Sequence, residues 1–197
     1  NICQVRRCSR CAAAFRWETC TLHADARTLG PFVTVSAPVL LDETHQLDSF
    51  SCGVQPLDDW LKRRARGNAK SGASHTYVAC EGVSVVGYYA LAAGAVDIVA
   101  APGRVRRNMP DPIPIIVLGR LAIDVTQQGQ GLGRALFRDA GLRVLQAANI
   151  IGVRAVLVDA ISDEAKAFYL ALGMVVSPLD PMTLMVTLAD LRASLAP

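Results

Sequence analysis

The chain has 197 residues, of which 52% are hydrophobic, with 20 Lys and Arg against 17 Asp and Glu. This length predicts one domain, or one domain with an appendage, and the hydrophobic fraction is ample for a buried core. No segment approaches the roughly 18–20 apolar residues of a membrane span, and no apolar stretch follows the early arginines as in a secretory signal. We therefore expect no membrane insertion and a cytoplasmic location.

Charge is distributed unevenly along the chain. Residues 1–33 hold five Arg and two acidic residues, whereas residues 34–197 hold 15 basic and 15 acidic residues. The larger segment is therefore neutral, and any anion-binding surface on it must come from local clustering.

The leading segment also carries four of the six cysteines. Cys8-x-x-Cys11 and Cys20-x-x-His23 form a possible zinc ligand set, although the interval between Cys20 and His23 is shorter than usual. No helix or strand pattern flanks these cysteines. We favour an interpretation in which residues 1–33 are a disordered or non-native extension and residues 34–197 are the functional domain, with no metal in its chemistry.

Hydrophobic periodicity and turn residues predict an ordered series of elements in that domain. We predict strands at 38–41, 76–80, 83–92, 117–124, 154–159, 174–176 and 182–188, and helices at 57–70, 132–148, 162–172 and 189–195. Four prolines make the connection at 97–114 irregular. This order predicts an α/β (α+β) fold, with a mixed central β-sheet flanked by helices on both faces.

Basic residues cluster in two short segments of the otherwise neutral domain. The helix at 57–70 has an apolar face and a basic face, which either binds phosphates or is simply solvated. The proline-rich connection precedes the strand at 117–124, so we expect it to form a basic lip on the active site. The candidates for binding a polyanion such as RNA are Lys62, Arg63, Arg64, Arg66, Lys70, Arg104, Arg106 and Arg107.

A glycine-rich turn joins the strand at 117–124 to the helix at 132–148. Its sequence lacks the Gly-Lys-Ser/Thr of a Walker A loop and the glycine spacing of a Rossmann fingerprint. The first amides of a helix have no partner within it and lie at the positive end of its dipole, so they favour phosphate oxygens. The predicted phosphate-binding residues are Gln128, Gly129, Gln130, Gly131, Gly133 and Arg134.

The pattern Gln128-x-x-Gly131-x-Gly133, after an apolar strand that ends in Asp124, resembles the pyrophosphate-binding loop of the GNAT acetyltransferases. The resemblance covers nearly all of residues 36–195 and sharpens to the GNAT toxins of bacterial toxin–antitoxin pairs that acetylate aminoacyl-tRNA. The further matching segments are Phe50-x-Cys52-Gly53, Leu57-x-x-Trp60-Leu61-x-Arg63-Arg64-Ala65-Arg66, Val117-Leu118-Gly119-Arg120-Leu121-Ala122, Phe168-Tyr169 and Asp180-Pro181-Met182-x-Leu184-Met185-Val186-Thr187-Leu188.

This resemblance implies a GNAT fold, acetyl-CoA as co-substrate and aminoacyl-tRNA as acceptor. It also implies growth arrest by blocked translation, a ribbon–helix–helix antitoxin as partner, and homodimerisation. The helical Tyr that acts as general acid in such toxins corresponds to Tyr169. We count Ser162, a predicted helix N-cap, among the coenzyme-binding candidates.

Elementary chemistry is consistent with these roles. Attack of an amine on a thioester creates an oxyanion, which a backbone N–H of a bulged strand near Leu121, Ala122 and Ile123 can stabilise. A phenol titrates near 10 and a thiol near 8.5, so Tyr169 is protonated at neutral pH and available to the departing thiolate. The alternative, that Tyr169 only packs in the core, stays open on the pattern alone.

No general base stands out in the sequence. None is required, because an α-amine titrates near 7.7–8.0 and is already partly neutral at physiological pH, so water can take the proton. Glu81, Asp124 and Asp159 therefore stay unassigned. Two other functions stay open at this point. One is a GNAT enzyme acting on a small amine or a protein amino group, and the other is a CoA-binding regulatory module without turnover.

Overall fold

The fold is described from a computed structural model, which describes residues 35–195. The expectations for residues 1–33, including the possible zinc ligands, lie outside these described residues. Within residues 35–195, no helix is long and apolar enough to cross a membrane.

The described residues form a series of strands and helices that follows the predicted order. In chain order they are β1 (Val39–Leu40), α1 (Gln55–Arg63), α2 (Ala65–Ser71), β2 (His75–Glu81), β3 (Ser84–Val96), α3 (Gly103–Arg106), β4 (Ile113–Ile123), a 3₁₀ turn (Val125–Gln127), α4 (Leu132–Ala147), β5 (Ala155–Asp159), α5 (Asp163–Ala171), β6 (Val175–Val176), β7 (Thr183–Thr187) and α6 (Leu188–Leu195).

Three local features differ from the prediction. The connection predicted to be irregular contains the short helix α3 at Gly103–Arg106, which starts directly after Pro102, where a proline interrupts no helical hydrogen bond. The basic helix predicted at 57–70 is broken at Arg64, whose φ of −117° and ψ of −32° separate α1 from α2. Pro114 was expected to prevent a strand, but it lies inside β4, opposite Ala95 of β3. The carbonyl of Pro114 accepts a hydrogen bond from the N–H of Arg154, on the side of β4 away from β3. The nitrogen of a strand residue faces the same side as its carbonyl, so the N–H that proline lacks would not have bonded to β3.

The strands of the described residues form one sheet in the order β1-β2-β3-β4-β5-β7-β6. Neighbouring strands are antiparallel except for β4 and β5, which are parallel. This arrangement confirms the predicted mixed sheet. Because β4 and β5 run in the same direction, the helices that follow them, α4 and α5, begin at the same edge of the sheet.

Helices cover both faces of the sheet, as predicted. Consecutive strand residues point to opposite faces, so Val78 packs in a cluster with Leu61 of α1, whereas Ala79 packs in the cluster that contains α4, α5 and α6. A third cluster holds α3 against the beginning of β4 through Val105 and Ile113.

Candidate active site

A cleft forms where β4 and β5 separate. Their parallel pairing covers only Ile115–Val117 of β4, so the second half of β4 is paired with β3 on one edge and open on the other. A cleft of about 570 Å³ lies along this open edge. Its lining comes from the end of β4, the glycine-rich turn, α5 and the segment that leads into α1: Cys52, Val54, Leu57, Leu121, Ala122, Ile123, Gln128, Gly129, Gly133, Ile161, Glu164, Ala165, Phe168 and Tyr169.

The register of β4 determines which of its amides face the cleft. Arg120 lies opposite Ala90 and Leu118 lies opposite Leu91, so Gly119 is the extra residue of a bulge. The N–H of Asp124 donates to the carbonyl of Val86 on β3. Successive N–H groups along a strand point alternately to its two edges. Since the N–H of Asp124 points to β3, the N–H groups of Leu121 and Ile123 point to the open edge. The N–H of Ala122 points to β3.

The glycine-rich turn presents the beginning of α4 to the same cleft. Gly131 is the N-cap with a φ of +85°, and Gly129 has a φ of +75°, conformations that side chains other than glycine rarely adopt. The N–H groups of Arg134 and Ala135 already donate to the carbonyl of Gly131. Leu132 and Gly133 lie between Gly131 and Arg134. Among the described residues their N–H groups have no backbone acceptor, so these groups remain available to a ligand.

The side chain of Gln128 holds this turn in place. Its amide nitrogen donates to the carbonyl of Cys52 and to the carbonyl of Ile123, both at 3.0 Å. The turn is thereby tied to the end of β4 and to the segment before α1. Gln128 thus lines the cleft, and its side chain holds the turn in place, while its contact with phosphate stays a prediction.

Helix α5 begins at Ser162 and carries Tyr169 into the cleft. The hydroxyl of Ser162 accepts a hydrogen bond from the N–H of Ala165 at 3.2 Å, which confirms the predicted N-cap. The helix ends at Ala171, close to the predicted end at 172, and Gly173 follows it with a φ of +86°. Tyr169 packs edge-on against Phe168, with ring centroids 5.2 Å apart, and lies 6.3 Å from the ring of Phe137.

The phenol of Tyr169 is buried but not satisfied. The side chain is 8% exposed, and within residues 35–195 its oxygen has no hydrogen-bond partner. In that region only the hydroxyl oxygens of Ser74 and Thr76 are both fully enclosed and unpaired. The phenol oxygen of Tyr169 is therefore not fully enclosed and keeps contact with the cleft. Burial raises the pKa of Tyr169 to about 12. The phenol is therefore protonated at neutral pH, so it can donate a proton but cannot act as a base.

The other ionisable groups near the cleft have structural partners. Burial, with Asp58 as a second cause, raises the pKa of the Cys52 thiol to about 11, so this thiol is a poor nucleophile at neutral pH. Hydrogen bonds from its own backbone and from Ser162 hold the pKa of Glu164 below its usual value. Cys52 and Glu164 therefore offer neither an activated nucleophile nor a strong base.

The three acidic residues left unassigned by the sequence lie outside the cleft lining. Glu81 accepts a hydrogen bond from Gln127 at 2.6 Å, and Asp159 accepts one from Thr183 at 2.7 Å. Asp124 accepts from the N–H of Ser51 at 2.9 Å and from the N–H of Thr126 at 3.0 Å. All three side chains thus have structural roles.

The predicted RNA-binding residues fall into two separate groups. Several are already paired with acidic side chains: Arg63 with Asp59, Arg66 and Lys70 with Glu43, and Arg104 with Asp190. Lys62, Arg64, Arg106 and Arg107 are exposed and have no carboxylate partner within residues 35–195.

The expected basic lip does not match the position of its arginines. The connection that carries Arg106 leads to the first residue of β4, whereas the cleft lies at the last residues of that strand. At about 3.3 Å per residue the two ends are about 33 Å apart. This segment therefore lies away from the cleft mouth. The prediction was wrong because β4 begins at Ile113, four residues before the predicted start at 117.

The structure brings most of the predicted coenzyme-binding residues together. The end of β4, the turn residues Gln128, Gly129 and Gly133, and Tyr169 all line the cleft, and Gln130, Gly131, Arg134 and Ser162 lie beside it in the chain. Sequence reasoning did not assign Cys52, Val54 and Leu57 to the site. Only the matching motif around Cys52 pointed to this segment, because no local pattern indicates a contact with residues about 70 positions later.

Comparison with known proteins gives a consistent result. Residues 72–175 match the acetyltransferase (GNAT) domain. The chain is 51% identical to a tRNA-acetylating toxin of Mycobacterium tuberculosis (strain ATCC 25618 / H37Rv), over 80% of this chain and 95% of that protein.

Solved structures of two complexes are similar to this fold. One is AtaT complexed with acetyl-methionyl-tRNAfMet, with a TM-score of 0.76 and 26% identity, covering 83% of this chain and 100% of that one. The other is a mutant of the toxin AtaT bound to the C-terminus of the antitoxin AtaR and to acetyl-CoA. Its TM-score is 0.69 at 26% identity, over 81% of this chain and 97% of that one.

Proposed function

The chain belongs to the GNAT family of acetyltransferases, and on that basis we propose that it transfers the acetyl group of acetyl-CoA to the α-amino group of aminoacyl-tRNA and thereby blocks translation. The observation that carries this proposal is the position of the Tyr169 phenol in a cleft that also contains the free amides of β4 and of the glycine-rich turn. The 51% identity to a tRNA-acetylating toxin supports the choice of acceptor.

The residues of the cleft fit acetyl-CoA. The unpaired N–H groups at the beginning of α4, with Arg134 beside them, suit a diphosphate. The cleft of about 570 Å³, lined by this turn and by Tyr169, has room for the apolar arm of the coenzyme. We propose Leu121, Ala122, Ile123, Gln128, Gly129, Gln130, Gly131, Gly133, Arg134 and Ser162 as the residues that form this site.

The backbone of β4 and the phenol of Tyr169 then have defined parts in the reaction. Acetyl-CoA, when bound, supplies the acetyl group as a thioester. One N–H of the open edge, that of Leu121 or of Ile123, donates a hydrogen bond to the thioester carbonyl, which stabilises the negative charge that develops on its oxygen. Tyr169 donates its phenolic proton to the sulfur as the carbon–sulfur bond breaks. The acceptor amine needs no protein base, because with a pKa near 7.7–8.0 a usable fraction of it is already neutral and attacks the carbonyl carbon. The nitrogen then releases a proton to water, and water returns a proton to the Tyr169 phenolate.

Incubation of the protein with labelled acetyl-CoA tests the acceptor directly. We expect label on charged tRNA and none on the same tRNA after removal of the amino acid. Replacement of Tyr169 by Phe should abolish growth arrest on expression while acetyl-CoA still binds. Transfer of label to a free amine or to protein, with none to charged tRNA, would contradict the proposal.

Binding of the tRNA body is proposed to use the basic side chains identified from the sequence, Lys62, Arg63, Arg64, Arg66, Lys70, Arg104, Arg106 and Arg107. The four without a carboxylate partner are expected to contribute most, because pairing neutralises the others. Phosphate contacts make affinity fall steeply with salt. Charge reversal at Arg63, Arg64 and Arg106 should weaken binding of charged tRNA, and unchanged transfer would contradict this assignment.

We also propose that the enzyme works in the cytoplasm, where aminoacyl-tRNA occurs, as a homodimer held inactive by a ribbon–helix–helix antitoxin. The complex of AtaT with the C-terminus of AtaR supports an antitoxin partner. Light scattering of the purified protein tests the dimer. Co-expression with the product of the adjacent reading frame tests relief of growth arrest.

A further inference from the structure

We propose that Arg120 binds the phosphate that links the terminal nucleoside of the acceptor tRNA to the preceding nucleotide, and so positions the aminoacyl group over the cleft. This inference rests on the proposed function and goes beyond it, because it names the residue that distinguishes a tRNA acceptor from a small amine. Arg120 lies in β4 between the bulge residue Gly119 and Leu121, which lines the cleft.

The guanidinium of Arg120 is held by an aromatic stack. Its central carbon lies 5.5 Å from the centre of the Trp60 indole. Trp60 in turn stacks on Tyr88, with centroids 5.9 Å apart and planes inclined by 11°. Tyr88 is buried and donates a hydrogen bond to the carbonyl of Leu57 at 2.8 Å, which fixes α1 on the sheet. The side chain of Arg120 is therefore oriented before any acceptor arrives.

The stack lies on the face of the sheet that α1 covers, opposite α4 and α5. Alternation along β4 places Arg120 and Ala122 on the same face, and Ala122 packs in the cluster with Leu57 and Leu61 of α1. Helices α4 and α5 pack on the opposite face. Since the coenzyme phosphates are proposed to lie at the beginning of α4, on that opposite face, the acceptor approaches from the α1 face, past Arg120.

The charge of Arg120 is not neutralised by the protein. Its side chain is exposed, and its only hydrogen bond within residues 35–195 goes to the neighbouring carbonyl of Gly119. By contrast Arg63, on the exposed side of α1, is paired with Asp59. An oriented guanidinium with free N–H groups recognises a phosphate in the bidentate manner that an ammonium cannot reproduce.

The test compares two acceptors with the same amino acid. One is charged tRNA, and the other is the aminoacylated terminal nucleoside with a stable amide link, which has no phosphate. We expect Arg120→Ala to lower kcat/KM for charged tRNA by at least tenfold and to leave that for the nucleoside within twofold. Arg120→Lys should give an intermediate loss, because the charge remains and the planar contact with Trp60 is lost.

Arg192→Ala is the matched control, since Arg192 is exposed on α6 and has no place in the cleft. Arg192→Ala should leave kcat/KM unchanged for both acceptors. Calorimetry should give the same acetyl-CoA affinity for all variants. The dependence of tRNA affinity on salt should also become shallower for Arg120→Ala, by a logarithmic slope of about 0.7–0.9 per lost phosphate contact.

Three outcomes overturn the inference. Equal losses for both acceptors would mean that Arg120 acts on the shape of the cleft, and unchanged transfer to charged tRNA would mean that it does not contact the acceptor. Failure of the unaltered protein to acetylate charged tRNA while it binds acetyl-CoA would instead refute the proposed function, and this inference with it.

Discussion

Tyr169 acquires its chemical character from its surroundings. It is buried between Phe137 and Phe168, and the loss of hydration raises its pKa to about 12. A phenol with this pKa keeps its proton throughout the physiological range. It is therefore suited to protonate a departing thiolate, whereas a tyrosinate base would require the opposite shift.

The pH dependence of the reaction tests this assignment. We expect kcat/KM for charged tRNA to rise with the deprotonation of the acceptor α-amine and then to stay level to pH 9.5, because the phenol of Tyr169 titrates only near 12. Tyr169→Phe should keep this profile with kcat lowered about 10²–10⁴-fold. A descending limb between pH 8 and 9.5 that disappears in Tyr169→Phe would contradict the raised pKa.

Asp124 has a structural role at the base of the cleft. Burial alone would raise its pKa, but hydrogen bonds from Ser51 and Thr126 outweigh burial and lower it. These bonds join the end of β4 to the segment that leads into α1, so both walls of the cleft depend on them.

Asp124→Asn should destabilise the protein by about 1–3 kcal/mol at pH 7, because one buried N–H then faces an amide donor. A carboxylate whose folded pKa is lowered contributes stability above its unfolded pKa, and this contribution is lost as the pH falls through the folded value. The difference in the free energy of unfolding between Asp124→Asn and the unaltered protein, measured by urea unfolding, should therefore shrink below about pH 4. Asp48→Asn is the control, since Asp48 is exposed. A difference that is equally large at pH 3 would argue against the hydrogen-bonded carboxylate.

At the scale of an element, the beginning of α4 depends on backbone conformation more than on side chains. Gly131 has a φ of +85°, and an added Cβ would meet no atom within 4 Å. The glycine is therefore required by its dihedral angle and not by lack of space. A left-handed conformation costs other residues about 1–2 kcal/mol.

Gly131→Ala should lower stability by about 1–2 kcal/mol and weaken acetyl-CoA binding about tenfold, because relief of the strain turns the first amides of α4 away from the diphosphate. Gly67→Ala is the matched control. Gly67 lies inside α2 with no atom within 4 Å of an added Cβ, so alanine should stabilise this helix by about 0.5–1 kcal/mol. Calorimetric titration with acetyl-CoA measures both variants, and equal affinities would contradict a role of the Gly131 conformation in binding.

Helices α1 and α2 show how pairing redistributes a basic surface. A sequence pattern treats Arg66 and Lys70 as equivalent to Lys62 and Arg64. In the structure the first two form ion pairs with Glu43, and Arg66 also donates to the carbonyl of His45 at 2.7 Å. These two side chains hold the loop before α1 and carry less free charge for a polyanion.

At the scale of the whole molecule, the cleft exists because one pair of neighbouring strands is parallel and short. Antiparallel neighbours on either side keep β4 and β5 in the sheet, while their carboxyl ends separate. A ligand that fills this gap joins the two halves of the sheet, so its binding should be linked to global stability.

Acetyl-CoA at 100 times its dissociation constant should raise the free energy of unfolding by about 2.7 kcal/mol. For a domain of this size the midpoint of thermal unfolding should rise by about 5–10 °C. Tyr169→Phe should show the same rise, because it retains the residues proposed for the coenzyme. Unchanged thermal unfolding at saturating acetyl-CoA would mean that the folded protein has no site for it.

The sequence by itself determined the features that depend on near neighbours. The positions of α4 and α5, the N-cap at Ser162, the end of α5 before Gly173 and the glycine-rich turn all follow from residues within one or two helical turns. Helical periodicity and dihedral preferences act over such short distances, so a single sequence suffices to read them.

Only the tertiary structure decided which distant residues meet at the cleft. Cys52 and Leu57 face a turn about 70 positions later, Arg120 stacks on Trp60, and Glu43 neutralises Arg66. Because β4 is long, the arginines of the proline-rich connection lie at its first residue, far from the cleft at its last residues. These contacts depend on sheet register and on competition among partners for the same side chain, which local periodicity does not encode.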